Sequence, residues 1–106
     1  MRRALINVPA KAKRGEILEI KALVSHPMET GYRTGSDGAL VPRDIIQRFV
    51  CTYNGEEVFS ADLFPAIAAN PFIAFTTVVA ESGTIIFRWI DDRGRDQIET
   101  AKIIVE

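Results

Sequence analysis

Period-two alternation dominates this chain. In Gly15–Ser25 (GEILEIKALVS), Leu18, Ile20, Ala22 and Val24 fall on one face, with Glu16, Glu19 and Lys21 mostly elsewhere, the pattern of a half-buried strand. Ile45–Tyr53 (IIQRFVCTY) repeats it, with Phe49, Cys51 and Tyr53 opposite Arg48 and Thr52. Asn54-Gly55 then supplies the positive-φ pair of a tight hairpin, and Glu57–Ala61 returns from it. Phe72–Ala80 is β-branched and aromatic and ends at Ser82-Gly83. Thr84–Ile90 places Ile85, Phe87 and Trp89 on one face and Ile86 and Ile90 on the other. Asp91–Arg95 (DDRGR) has turn chemistry, and Gln97–Val105 closes with Ala101, Ile103 and Val105 alternating against Lys102. A shorter strand is expected over Arg3–Val8, stopped by Pro9. Six or seven such strands, with no sustained 3.6-residue period, predict an all-β sandwich of about seven antiparallel strands in a single domain over residues 1–106.

Two connections interrupt the pattern. His26–Arg43 runs 18 residues (HPMETGYRTGSDGALVPR) with three glycines, two prolines and no apolar period. Loops of that length inside a small domain are uncommon and tend to be functional. Pro27 ends the preceding strand, so His26-Pro27-Met28-Glu29 reads either as a strand cap or as a recognition element. Asp62–Pro71 (DLFPAIAANP) is unusually apolar for a connection: Leu63, Phe64 and Ile67 either cover a core edge or meet another protein. Gly15–Ser25 adds a related question, since Ile17 and Leu23 stand opposite its main apolar row. One face fills the core, and the other needs cover from the Asp62–Pro71 segment or from a second chain.

Composition narrows the chemistry. With 47% hydrophobic and 25% charged residues this is an ordinary globular composition, and a net charge of −1 provides no field for nucleic acid or an anionic membrane. Neither is expected as a partner. Five basic residues and no acid occupy positions 2–14, which reads as a solvated flank. No stretch nears the roughly 18 uninterrupted apolar residues of a spanning helix. No apolar export segment follows Arg2 and Arg3 either, so on its own features the chain reads as cytoplasmic. One Cys and one His exclude an internal disulfide and multi-thiolate zinc. His26, Cys51 and Met28 fall one imidazole short of a blue-copper set. Cys51 lies mid-strand, where a thiol is a small hydrophobe, and nothing in the sequence supplies the neighbouring cation an activated thiolate needs. Asp91-Asp92 reads as turn chemistry. No phosphate loop or nucleophile elbow occurs. The residues thus predict a non-enzyme without a cofactor.

Several strings share one further likeness. His26-Pro27-Met28-Glu29-Thr30-Gly31-Tyr32-Arg33 is followed by Pro42-Arg43, Ile45-Ile46, Phe49-Val50-Cys51, Tyr53-Asn54-Gly55 and Val58-Phe59, then by Asn70-Pro71-Phe72 and Phe87-Arg88-Trp89-Ile90-Asp91-Asp92. From about Val8 onward this closely resembles the SoxZ family of the bacterial thiosulfate-oxidising system. Tyr32 departs from it, the family more often having a polar residue such as Gln there. The resemblance implies an immunoglobulin-like sandwich that pairs with SoxY, a subunit whose flexible C-terminal Gly-Gly-Cys-Gly-Gly arm carries covalent sulfur intermediates. It further implies transient contacts with the enzymes that act on that arm: a c-type cytochrome pair, a di-manganese hydrolase and a sulfane dehydrogenase. A periplasmic location follows from the same likeness, with export together with the partner. This chain ends Lys102-Ile103-Ile104-Val105-Glu106, without such an arm. Expected contact residues are His26, Met28, Glu29, Thr30, Arg33 and Arg43 around the long loop, and Leu63 and Phe64 in the second connection. A generic sandwich scaffold serving some other partner is the alternative.

Overall fold

The computed structural model describes residues 4–64 and 70–106. Within them the alternating segments become β1 (Ala4–Asn7), β2 (Lys11–Ala12), β3 (Ile17–Val24), β4 (Ile46–Tyr53), β5 (Glu56–Asp62), β6 (Phe72–Val78), β7 (Gly83–Asp91) and β8 (Asp96–Val105). A three-stranded sheet has the order β1-β3-β6, and a five-stranded sheet the order β2-β8-β7-β4-β5. The architecture is an all-β, immunoglobulin-like sandwich, and no helix occurs among the described residues. The strand added to the expected set is β2. Pro9 removes a ladder donor after β1, and Lys11-Ala12 crosses to the other sheet to pair in parallel with Ile104 and Val105. Two residues are too few for a period to be read.

The core follows the predicted faces. Leu18, Ile20, Ala22 and Val24 of β3 are buried, as are Phe49 and Cys51 of β4 and Ile85, Phe87 and Trp89 of β7. Register aligns Phe49 with Trp89 and Cys51 with Phe87, so the inner face of the larger sheet is an aromatic layer. Phe49 lies at its centre, with ring centroids 5.3 Å from Trp89 and 6.3 Å from Phe87. Phe59 of β5 stacks on Phe75 of β6 at 4.5 Å, joining the two sheets. Burial of aromatic rings at these separations adds pairwise attraction to their large apolar area. Asn54 and Gly55 both have positive φ (50° and 83°), as the hairpin between β4 and β5 requires.

The long connection between β3 and β4 is folded back on itself. Glu29 and Asp44 exchange backbone hydrogen bonds of 2.9 Å in both directions, and the Val41 N–H donates to the Arg33 carbonyl (2.8 Å). An isolated bridge between Thr34 and Leu40 closes the tip. Glycine-rich sequence and absent apolar period concealed this pairing, because it rests on backbone groups. Arg2, Arg3 and Ile67, each named in the sequence reading, lie outside the described residues.

Candidate functional site

His26 organises one end of the sandwich. It lies two residues beyond the end of β3, and Pro27 prevents the strand from continuing. Its backbone N–H donates to Asn70 Oδ1 (2.9 Å) and its carbonyl accepts the Asn70 N–H (2.7 Å). Its Nδ1 accepts the N–H of Met28 (2.9 Å), and its Nε2 lies 3.6 Å from Asp44 Oδ1. His26 thus fastens the end of β3, the long loop and the segment leading into β6. Met28 has φ 53°, rare for a residue with a Cβ, and its Sδ accepts the Ile46 N–H at 3.3 Å. Both side chains are inside, His26 at 1% and Met28 at 4% exposure. The expectation that they form a contact surface is therefore corrected: they shape the loop from beneath. The cause is the left-handed turn at Met28, which directs the thioether inward.

Around them lies a collar of ion pairs. Arg33 grips Glu29 with two hydrogen bonds (2.7 and 3.1 Å), and Arg43 grips Asp92 likewise (2.7 and 2.9 Å). The bonds from Arg33 and Arg43 hold the Glu29 and Asp92 carboxyls below their ordinary values. Asp92 Oδ2 also accepts the Ile45 N–H, tying the turn after β7 to the start of β4. Thr30 Oγ1 accepts the Tyr32 N–H. Glu29, Thr30, Arg33 and Arg43 are thus brought together at the surface, with Tyr32 and Leu40 exposed beside them. The two readings of the second connection divide by residue. Leu63 covers the core at 8% exposure, and Phe64 projects outward at 65%.

Inside the collar, Asp44 and Asp91 are buried carboxylates. Asp91 Oδ1 accepts the N–H groups of Arg93 and Arg95, and its Oδ2 accepts Arg95 Nε (2.9 Å). Arg95 also reaches Asp44 Oδ2 (3.4 Å), and Arg93 Nε lies 3.6 Å from the same oxygen. Ligand atoms of His26, Asp44 and Asp91 fall within 4.8 Å of one another. Arg95, spanning both carboxylates, and Arg93 beside Asp44 together supply their countercharge, so the cluster is built as a structural ion network. Sequence reasoning had read Asp91 and Asp92 as turn formers, which they are, and had missed Asp44, Asn70 and Arg95. Only the bringing together of residues about 50 positions apart joins these groups.

Cys51 is completely buried, and desolvation pushes its thiol up to about 12. A thiol so placed is protonated at neutral pH and is no nucleophile.

A second feature is the outer face of the smaller sheet. Register aligns Leu5 with Leu23 and Leu23 with Phe72, giving an apolar row across all three strands. Leu5 is 66% and Phe72 60% exposed. Ile17 and Val78, also paired, repeat the feature at the far end. Shallow depressions of about 220 Å³ lie along the row, one lined by Leu5, Asn7, Lys21, Leu23 and Phe72. The opposite outer face carries the ion pairs Arg48–Asp62 and Arg88–Asp96.

Solved structures of similar architecture share little sequence. Superoxide reductase (neelaredoxin) from Ignicoccus hospitalis is 18% identical with a TM-score of 0.74, over 97% of this chain and 80% of that one. A putative superoxide reductase from Thermotoga maritima is 19% identical with a TM-score of 0.68, over 97% and 85%. The sulfur carrier protein SoxY from Chlorobium limicola f. thiosulfatophilum is 14% identical with a TM-score of 0.68, over 97% and 78%. At these identities the likeness is one of fold. No curated protein sequence matches the chain. The family described as sulphur oxidation protein SoxZ matches residues 6–102, nearly the whole length and every element of the loop-end site, and the chain belongs to that family.

Proposed function

We propose that this chain is the non-catalytic subunit of a periplasmic sulfur-carrier complex, paired with a SoxY-like subunit whose C-terminal cysteine arm holds the sulfur intermediates. The observation that carries the reading is the state of Cys51. The chain's one thiol is sealed among aromatic rings with its proton held to about pH 12, so covalent sulfur chemistry falls to another polypeptide. The partner's side is the outer face of the smaller sheet. Docking there covers the Leu5–Leu23–Phe72 row, which lies beside the exposed pair Lys21–Glu19, whereas the exposed isoleucines of the opposite face are registered against polar side chains, Ile86 against Thr100 and Ile98 against Arg88. Stable interfaces are large and apolar at their centre. The collar of Glu29, Thr30, Arg33 and Arg43, with Tyr32 and Phe64, remains free for transient contact with the enzymes that act on the arm. Aromatic and arginine side chains are the usual anchors of such contacts.

Co-expression with an arm-bearing partner, followed by intact-mass measurement after exposure to thiosulfate and the loading enzyme, tests the proposal. A one-to-one complex with the adduct on the partner is expected. An adduct held and passed on by the isolated 106-residue chain overturns it.

A further inference from the structure

We infer that His26 is a proton-operated latch on the loop between β3 and β4. The geometry determines which form of the imidazole the closed loop accepts. A backbone N–H has only a proton to offer, so Nδ1, which accepts the Met28 N–H at 2.9 Å, must present its lone pair. The closed loop therefore holds neutral His26 with its proton on Nε2, directed toward Asp44 Oδ1. Adding a second proton turns Nδ1 into a donor facing a donor, and the Met28 bond is lost. That bond restrains Met28 in a left-handed conformation (φ 53°) that a side-chain-bearing residue does not otherwise favour. Its loss frees Met28 to return to ordinary φ, withdrawing the thioether from the Ile46 N–H. The outer pairing of Glu29 with Asp44 sits one residue further along and shifts with it.

The charges around the ring oppose one another. Asp44 from the loop and Asp91 from the end of β7 favour the imidazolium; Arg95 and Arg93 from the following turn disfavour it. Glu29 is engaged by Arg33, and Asn70, from the segment before β6, bonds the backbone N–H and carbonyl of His26 and is uncharged. Imidazole is the side chain whose charge changes within the mildly acidic to neutral range, so acidification is the signal that opens the latch. The latch belongs to this chain alone and does not rest on any partner.

Solution NMR of the full chain tests it. His26 is the only histidine, so its ring 15N signals can be followed without ambiguity from about pH 8 to about pH 5, alongside hydrogen exchange of the Met28 amide corrected for the intrinsic rate. Nδ1 is expected to be proton-free at the alkaline end. As the imidazolium forms, Met28 protection should fall about tenfold, the scale of one lost hydrogen bond, while the Cys51 amide in mid-strand keeps its own. His26→Asn retains an acceptor at the Nδ1 position and does not titrate, so its Met28 protection should vary by less than about twofold over the same range. The wild-type titration decides the matter by itself if the variant does not fold. A ring that stays neutral throughout, an Nδ1 already protonated at about pH 8, or Met28 protection that ignores the imidazolium overturns the latch.

Discussion

Two side chains show how far environment outweighs residue type. Cys51 and an activated cysteine share the same functional group, but Cys51 lies on the inward face of β4 opposite Phe87, and desolvation raises its thiol to about 12. Thiol-directed alkylating reagents should therefore leave the native chain unlabelled and modify Cys51 only in denaturant, as intact mass will show. Labelling at the rate of a free thiol under native conditions contradicts that burial. Arg43 and Asp92 give a pH-dependent counterpart. The hydrogen bonds from Arg43 set the folded Asp92 carboxyl below its ordinary value of 3.8. Its contribution to stability is complete above that value and disappears as pH falls through the lower, folded one. Arg43→Met removes the interaction, so the gap in denaturation midpoint between wild type and variant should be open at neutral pH and close on acidification below the ordinary carboxylate value.

Elements meet through their turns, and the β4–β5 hairpin is the tightest case. Asn54 does more than adopt positive φ: its Oδ1 accepts the Thr84 N–H (3.0 Å) and its Nδ2 donates to the Ser82 carbonyl (3.3 Å). The hairpin is thereby fastened to the start of β7. The fit leaves no room at Gly83, where an added Cβ would lie 1.9 Å from Asn54 Oδ1. A side chain this short cannot retreat and keep both bonds. Gly83→Ala should destabilise the chain by about 1–3 kcal/mol in chemical denaturation, the usual cost of overpacking. The same change should cost less in an Asn54→Ala background, because the clashing atoms are gone. Equal costs in both backgrounds would mean that Gly83 is required for a reason other than this contact.

At the scale of the molecule, the two outer faces differ in character. The five-stranded sheet sets its exposed isoleucines against polar partners such as Arg88 and Thr100; the three-stranded sheet aligns Leu5, Leu23 and Phe72 in one apolar row, with the Lys21–Glu19 pair beside it. Replacing Leu5 and Phe72 together by lysine removes two exposed side chains, so the isolated chain should change stability by no more than about 0.5 kcal/mol per site. The same pair of changes should abolish co-elution with an arm-bearing partner in size-exclusion chromatography. Ile98→Lys on the opposite face should leave the complex intact. Loss of co-elution with Ile98→Lys alone would move the interface to the larger sheet.

Alternation was sufficient to read the strands, because the inward and outward sides of a sheet see different solvents and a period of two records that difference directly. Leu18 to Val24, Phe49 with Cys51, and Ile85 to Trp89 were all legible in this way, as was the Asn54-Gly55 turn, whose geometry depends on two adjacent residues. The long loop was legible as a break in the strand pattern but not as a shape. Whether Met28 turns inward depends on an imidazole acceptor two residues away and on a carboxylate at Asp44, itself held by Arg95 from the turn after β7. The apolar row was half visible, through Ile17 and Leu23, and became a surface only when register set Leu5 and Phe72 on either side of Leu23. Local preference is written along the chain and can be read there. Contacts between distant residues depend on how the sheets align, and no short stretch of sequence contains that.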